Sequence, residues 1–151
     1  MNRHLAVTTW LRLLQASALI ERELRRAVGT HCTFPQFDVL NQLDREPGGL
    51  TFVELSRRLL VTAGNLTGIV DRLQDGRLVR RAVHPQDRRA FRLTLTAKGR
   101  RLVRRAQRSH HRALVPLLAG LPAGELRVLR RLLGRLRECA SSRLTRAPRR
   151  R

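Results

Sequence analysis

The segment from His84 to Phe91, HPQDRRAF, places one carboxylate beside two guanidinium groups in a chain that is already strongly basic. A guanidinium carries its N–H donors in a rigid fork, so it binds phosphate oxygens and carboxylates in a fixed geometry. The segment therefore raises the question of why the carboxylate of Asp87 stands beside Arg88 and Arg89. The segment predicts a turn that presents an arginine. The alternative is a loop whose arginines contact only water.

A second set of polar and small residues lies on one face of a predicted helix that follows Thr62. The other face is apolar, because residues recur at the i, i+3, i+4 and i+7 spacing: Leu66, Ile69, Val70 and Leu73. The outward face carries Gly64, Asn65, Thr67, Gly68, Asp71 and Arg72. Asparagine can bond an adenine edge twice, and threonine can contact a thymine methyl group. The glycines would let another molecule approach the backbone of this face closely.

The cysteines and histidines offer weaker candidates for chemistry. Cys32 precedes a predicted helix start, where the helix dipole favours a thiolate, and is therefore a candidate redox switch. Cys139 falls on an apolar helical stripe and is predicted to be buried. His110 and His111 are adjacent, so their side chains point in different directions and predict no metal site. His110 is in register with apolar neighbours and is predicted to be buried or at an interface.

The elements that position these groups are predicted in the order helix, helix, helix, helix, hairpin, helix, helix. The first helix, at about 5–28, is apolar over so much of its circumference that it should contact both its own domain and a partner subunit. Two capping boxes, Thr33–Gln36 and Thr51–Glu54, predict further helix starts. Three more starts are predicted by the capping threonines Thr62 and Thr96 and by Pro122. Two alternating segments, at 78–83 and 91–95, predict the strands of the hairpin.

Composition indicates the kind of partner. The chain has 151 residues, which fits one domain, and a formal net charge of +21, which indicates a polyanion, with nucleic acid favoured over a membrane surface. Lys98 is the only lysine, so part of the arginine excess is typical of a GC-rich genome. The sequence contains neither a long apolar run nor a signal-peptide pattern, so we expect a cytoplasmic protein.

Two short helices followed at once by a hairpin form a winged helix-turn-helix pattern. Residues 50–99, LTFVELSRRLLVTAGNLTGIVDRLQDGRLVRRAVHPQDRRAFRLTLTAKG, resemble the MarR family of bacterial transcriptional regulators. The most specific pieces are Val-Asp-Arg-Leu at 70–73, Asp-x-Arg at 87–89 and Leu-Thr-x-x-Gly at 95–99. The resemblance covers about residues 5–136. It implies a mainly α fold with a small β-hairpin wing and a helical dimerisation region.

The resemblance also implies an organisation and an activity. Residues 1–140 would form one domain, with the DNA-binding part at about 33–95 and dimerisation helices at about 5–28 and 96–140. The basic tail at 141–151 is expected to be disordered. The protein would be a ligand-responsive repressor that binds a pseudo-palindromic operator in double-stranded DNA as a homodimer.

Individual roles carry over to matching positions. Arg89 would enter the minor groove, Arg88 would meet phosphate, and Asp87 would pair with a neighbouring arginine, with Arg81 as one candidate partner. The residues that would face DNA from the recognition helix are Thr62, Ala63, Gly64, Asn65, Thr67, Gly68 and Arg72. For Thr62, a role as helix cap alone is an equal alternative. Leu60 and Arg77 stand where the family commonly has glycines, which leaves the orientation of the wing open.

Family members often release DNA when a small aromatic ligand binds, and Trp10, His31, Phe34 and Phe37 could line the pocket for such an effector. The alternative is that Phe34 and Phe37 belong to the core. No cofactor or metal is predicted.

Two other classes of protein were weighed. A sequence-independent nucleic-acid binder fits the charge, but only 3% of residues are aromatic, and single-strand binders rely on stacking. An enzyme is disfavoured because no defensible nucleophile–base spacing or phosphate-binding glycine loop occurs.

Overall fold

A computed structural model describes the backbone of residues 2–84 and 87–146, and the side chains in those ranges except at 63, 83–84, 87–90 and 144–146. The elements follow in the order α1 (Arg3–Gly29), α2 (Phe34–Asp44), β1 (Leu50–Thr51), α3 (Phe52–Leu59), α4 (Ala63–Asp75), β2 (Val79–His84), β3 (Asp87–Leu95), α5 (Ala97–Leu118) and α6 (Ala123–Arg146). The chain divides into two compact units, Met1–Leu114 and Val115–Arg151.

The helix starts follow the predicted capping chemistry. In α2 the Thr33 hydroxyl accepts a hydrogen bond from the Gln36 backbone N–H, and the Gln36 side chain accepts one from the Thr33 N–H at 3.1 Å. The same reciprocal pair joins Thr51 and Glu54 at the start of α3. Hydrogen bonds from Thr51 hold the pKa of the Glu54 carboxyl below its usual value. Both predicted capping boxes are confirmed.

The sheet has three antiparallel strands in the order β1-β3-β2. The predicted hairpin is confirmed, with Val79 opposite Leu95 and an irregularity between Val83 and His84. Strand β1 was not predicted, because two residues are too few to show an alternating pattern. It pairs Leu50 with Leu93 and ties the start of α3 to the wing.

The core of the first unit gathers apolar residues from α1, α2, α3, α4, the sheet and α5. Leu66, Val70 and Leu73 of α4 are fully buried in it. Because these three residues occupy one stripe, their burial fixes the rotation of α4 about its own axis. The opposite stripe, at 64, 65, 67 and 68, is thereby directed away from the core.

The start of α5 is anchored to the carboxyl end of α4. The Thr96 hydroxyl donates to the Arg77 carbonyl at 2.8 Å and accepts from the Gly99 N–H at 3.0 Å. The Lys98 ammonium donates to the Gly76 carbonyl at 2.9 Å. A Cβ on Gly99 would lie 2.1 Å from the Leu78 carbonyl oxygen, so only glycine permits this approach.

Two non-glycine residues adopt left-handed backbone conformations at the turns that flank α4. Leu60 has a φ of 55° and Arg77 a φ of 56°, whereas Gly76 has an ordinary φ of −69°. These are the two positions at which the resemblance to the MarR family implies a glycine. The chain therefore keeps left-handed turns there with residues that are strained in them.

Leu60→Gly is expected to stabilise the fold by about 1 kcal/mol, because glycine adopts the left-handed conformation without strain. The gain is limited because glycine also raises the conformational entropy of the unfolded chain. The Leu60 side chain is 89% exposed, so its loss removes little burial. Thermal unfolding measures the change. Val53→Gly is the matched control: Val53 is also exposed, but it lies inside α3, so the glycine should destabilise. A Leu60→Gly protein that melts below wild type would contradict this account.

Several helices leave apolar side chains without a partner in the single chain. On α1 the exposed large apolar residues are Leu5, Val7, Trp10, Leu11, Leu14 and Leu19. On α6 they are Val128, Leu129, Leu132, Leu133 and Leu136, and Cys139 is also exposed, so its predicted burial is wrong for the single chain. Helix α6 extends to Arg146, so residues 141–146 are helical and the prediction of disorder is wrong for them, whereas the rest of the predicted tail, 147–151, lies outside the described residues.

Within the described ranges, no helix is both long enough and apolar enough to cross a membrane.

Candidate nucleic-acid interface

A tight turn joins α3 to α4 and determines where α4 begins. The Ser56 hydroxyl donates to the Val61 carbonyl at 2.7 Å, and the Val61 N–H bonds back to the Ser56 carbonyl. Thr62 then caps α4 by accepting from the Asn65 N–H. Thr62 is therefore a helix cap, as predicted. Its exposed position also leaves the DNA-contact alternative open.

The outward face of α4 is open and sparsely covered by side chains. Asn65 and Thr67 are exposed. Among the described residues, a Cβ on Gly64 would meet nothing within 4 Å, and one on Gly68 would meet only the Arg72 guanidinium, at 3.7 Å. Packing against the described residues therefore does not require glycine at either position, although each glycine costs the helix up to about 1 kcal/mol. An external surface that approaches the backbone would require it.

Arg72 extends along the same face. Its Nε donates to the Gly68 carbonyl at 3.0 Å, which lays the guanidinium back over the helix. The side chain is exposed, so its other donors can reach a phosphate.

Arg81 connects the wing to α4. Its Nε donates to Oε1 of Gln74 at 3.1 Å, and its Nη2 lies 3.8 Å from Oδ1 of Asp71. The family resemblance makes Arg81 one candidate partner of Asp87. Among the described side chains, however, the partners of Arg81 are residues of α4. Sequence reasoning missed Gln74 as a site residue. The sequence does carry one signal for Gln74: it stands three residues after Asp71, so both side chains lie on the side of α4 that faces Arg81.

The turn residues of the wing remain predictions. The backbone of Asp87, Arg88 and Arg89 belongs to β3, and Asp87 pairs with His84 across the hairpin. Their side chains, and that of Ala63 on α4, lie outside the described residues. The expected roles of Arg89 in the minor groove and of Asp87 as its orienter are therefore not tested by the geometry.

The four residues expected to line an effector pocket do not lie together in one chain. Phe34 and Phe37 are 6.0 Å apart between ring centroids, and Phe37 stacks on His110 at 5.1 Å. His31 lies in the turn between α1 and α2, and its Nε2 is 3.0 Å from the hydroxyl of Ser109 on α5, next to His110. Trp10, however, is separated by about 22 Å of α1 from Arg25, the residue that covers Phe34.

The aromatic cluster is otherwise as predicted for core residues. Phe37 is buried, Phe34 is partly buried, and the Arg25 guanidinium lies 5.1 Å from the centroid of the Phe34 ring. His110 is half-buried, and burial lowers its pKa. The site therefore combines the partly buried Phe34 ring with the Arg25 guanidinium, which is itself paired with Glu21.

Cys32 does not have the thiol chemistry expected of a redox switch. Burial, with a smaller contribution from the Asp38 carboxylate, raises the pKa of the Cys32 thiol to about 11. The expected effect of the α2 dipole is outweighed. At neutral pH the thiol stays protonated and weakly nucleophilic, so we do not propose redox sensing.

The α3–turn–α4 pair with its adjoining three-stranded wing defines a winged helix-turn-helix protein. A family model described as the MarR family matches residues 33–90. The HTH-type transcriptional repressor Rv2887 of Mycobacterium tuberculosis is 32% identical over 125 residues, which cover 82% of this chain and 89% of the relative. The chain therefore belongs to the MarR family of transcriptional regulators.

Solved structures agree with this assignment. A MarR family protein from Bacillus stearothermophilus matches with a TM-score of 0.77 and 27% identity, covering 93% of this chain and 99% of that one. Rv2887 in complex with DNA matches with a TM-score of 0.67 and 31% identity, covering 83% and 94% of the two chains. Rv2887 has also been solved with salicylic acid, a structure that is 32% identical with a TM-score of 0.66 and covers 82% of this chain and 92% of that one.

Proposed function

We propose that this protein is a cytoplasmic repressor that binds a pseudo-palindromic operator in double-stranded DNA as a homodimer. The observation that carries this proposal is the outward face of α4, where the exposed Asn65 lies between two glycines that packing against the described residues does not require. In this account the α4 backbone approaches the floor of a major groove and Asn65 bonds an adenine edge. Affinity then comes largely from phosphate contacts, which position the helix without reading sequence.

The wing would read the adjacent minor groove. Arg89 is proposed to enter it, because a narrow minor groove concentrates negative potential that attracts arginine. Arg88 is proposed to contact phosphate, and Asp87 to hold the turn in shape. The contacts from Arg81 to α4 support this arrangement, since they join the strand of the wing to the helix that reads the major groove.

The unpartnered apolar residues of α1 and α6 support a homodimer. A two-fold dimer places two copies of α4 about one helical turn of DNA apart, so modest contacts at each half-site combine into usable specificity.

A small aromatic acid is the effector class that we propose. The partly buried ring of Phe34 offers a stacking surface, and the Arg25 guanidinium, which also pairs with Glu21, lies over it. The salicylic acid complex of the relative Rv2887 supports this class of ligand. Trp10 would take part only if a partner subunit supplied it.

Gln74→Ala is expected to weaken operator binding about fivefold, because Arg81 loses an acceptor and the wing loses a fixed position relative to α4. Fluorescence anisotropy on a labelled operator duplex measures the change. Gln74→Glu should restore affinity, since a carboxylate also accepts from Arg81. If Gln74→Ala has the same effect in an Arg81→Ala background, the two residues do not act together and the positioning role is wrong.

Asp87→Ala tests the proposal against a sequence-independent binder. We expect the substitution to weaken operator binding several-fold although it makes the protein more positive, because the turn would no longer hold its arginine. Glu138→Ala is the control: it changes the charge equally on the exposed surface of α6 and should leave operator binding unchanged or slightly tighter. A binder that responds to charge alone would bind more tightly with either substitution.

A further inference from the structure

Helix α5 carries a row of arginines that the proposed operator contacts do not use. Residues 97–118 contain Arg100, Arg101, Arg104, Arg105, Arg108 and Arg112 together with Lys98, and no aspartate or glutamate. The buried residues of this helix are Gly99, Val103 and Ala106. Arg101, Arg104, Arg105 and Arg108 occupy the opposite side and are exposed. These four residues are called the α5 row below.

The four guanidiniums of the α5 row form a surface without internal compensation. They line an open groove of about 300 Å³. Among the described side chains, none of them lies within 4.0 Å of a carboxylate, in contrast to Arg25 and Arg58, which have glutamate partners. Like charges three and four residues apart destabilise a helix by about 0.2 to 0.5 kcal/mol per pair. The row therefore carries a cost that an external anion would remove.

The row lies away from the residues proposed to contact the operator. Helix α5 begins beside the carboxyl end of α4, through the bonds from Lys98 to Gly76 and from Thr96 to Arg77. The 13 residues of α4 place that end about 20 Å from Thr62, where the base-contacting residues begin. Strand β3 likewise runs from the wing turn toward α5, so the row begins at the far end of the wing strand.

The chemistry of the row selects one kind of occupant. A membrane would need a free apolar face beside the arginines, but the apolar face of this part of α5 is buried in the core. A second copy of the same row would meet it with like charge, which disfavours contact. From Arg101 to Arg108 the row extends about 10 Å along the helix, and it is open at the surface, so it suits a chain of phosphates better than a single small anion.

We propose that the α5 row is a second, sequence-independent surface for the phosphodiester backbone of duplex DNA, separate from the operator contacts. A regulator that holds its operator through α4 and the wing would then bind another DNA segment through α5. This inference adds a second DNA contact to the proposed function, and the two can fail separately.

An operator duplex is first selected from a random DNA pool by its binding to the protein. The test then uses the full-length protein saturated with this duplex, unlabelled. A labelled scrambled duplex of about 20 base pairs, or two helical turns, is then titrated and followed by anisotropy at several salt concentrations. The variant replaces Arg101, Arg104, Arg105 and Arg108 with glutamine, which has a similar helix propensity. The matched control makes the same four replacements at exposed positions of α6: Arg127, Arg130, Arg131 and Arg135. A third protein carries lysine at the four positions of the row.

We expect the occupied wild-type complex to bind the scrambled duplex. The glutamine variant should lose at least about tenfold in this affinity, with the salt slope smaller by about 2 to 3, because each lost phosphate contact removes about 0.9. The α6 control and the lysine protein should stay close to wild type. Operator affinity of the folded glutamine variant, with folding checked by circular dichroism, should change much less than its affinity for the second duplex.

Three results would overturn the inference. They are a failure of the occupied wild-type complex to bind a second duplex, a loss of affinity in the α6 control as large as that in the glutamine variant, and tighter binding of the row to single-stranded RNA of equal length than to duplex DNA. If selection yields no specific operator, the proposed function fails instead. Titrating wild type and the three variants with the scrambled duplex, without operator, then still measures how much the α5 row contributes to DNA affinity.

Discussion

Asn65→Ala is expected to weaken operator binding by about tenfold to a hundredfold, while binding to shuffled DNA stays unchanged. Asn65 is exposed on the outward face of α4 between Gly64 and Gly68, where a side-chain amide can make two hydrogen bonds to an adenine edge. A contact of this kind typically contributes about 1 to 3 kcal/mol of discrimination between bases. The neighbouring glycines offer no side chain that could compensate for the loss.

The measurement for Asn65→Ala is a pair of anisotropy titrations, one on the operator and one on a shuffled duplex of equal length. Because alanine favours helix and the Thr62 cap uses only the backbone N–H of residue 65, the fold should be unaffected. Preference at one base position should also relax. Equal losses on both duplexes would show that Asn65 contributes affinity without reading sequence, and the base-contact role would be wrong.

Gly99→Ala is expected to destabilise the fold by about 3 kcal/mol, at the upper end of the range for overpacking. The new Cβ would lie 2.1 Å from the Leu78 carbonyl oxygen, which is backbone and cannot rotate away. Relief would require α5 to move away from Leu78, the residue before β2, and that movement would stretch the hydrogen bonds from the Thr96 hydroxyl to the Arg77 and Leu78 carbonyls.

Denaturant unfolding measures the effect of Gly99→Ala, and Gly64→Ala is its matched control. A Cβ at Gly64 meets nothing within 4 Å, so alanine there should stabilise by up to about 1 kcal/mol. The two substitutions are therefore expected to change stability in opposite directions. If Gly99→Ala proves neutral, α5 does not approach the strand as closely as described, and its anchoring to the end of α4 is weaker than we infer.

Local chemistry explains why much of the fold could be predicted from the sequence. The starts of α2 and α3 are marked by reciprocal side-chain and backbone bonds within four residues, as at Thr33 and Gln36. The buried stripe of α4 is visible in the spacing of Leu66, Val70 and Leu73. Strand β1 was missed because its pairing with β3 joins residues more than 40 positions apart and leaves no local pattern.

Burial could not be predicted where a side chain depends on distant parts of the chain. Cys139 lies on an apolar stripe of α6, yet it is exposed in the single chain. An apolar stripe shows that the helix needs a packing partner, but it does not show that this partner belongs to the same chain. Cys32 precedes a helix start, which suggested an activated thiol, but burial against the core dominates and raises its pKa.

In the candidate site, too, some residues could be predicted from a local sequence pattern, whereas others depend on how distant parts of the chain pack. The outward face of α4 follows from one periodic pattern and was predicted residue by residue. The partners of Arg81 depend on how β2 packs beside α4, so Gln74 appeared only in the structure. The separation of Trp10 from Phe34 likewise follows from the unbroken length of α1, which no single spacing reveals.

The most direct test of the central claim is a titration of the purified protein against the DNA flanking its own gene and against shuffled DNA of equal length, at two salt concentrations. We expect the native sequence to bind about a thousandfold more tightly at moderate salt, within the usual range for specific binding. Raising the salt should weaken both complexes but preserve the preference. Equal affinities for the two DNAs, both lost as salt rises, would contradict operator recognition at that DNA and leave charge as the only demonstrated basis of binding.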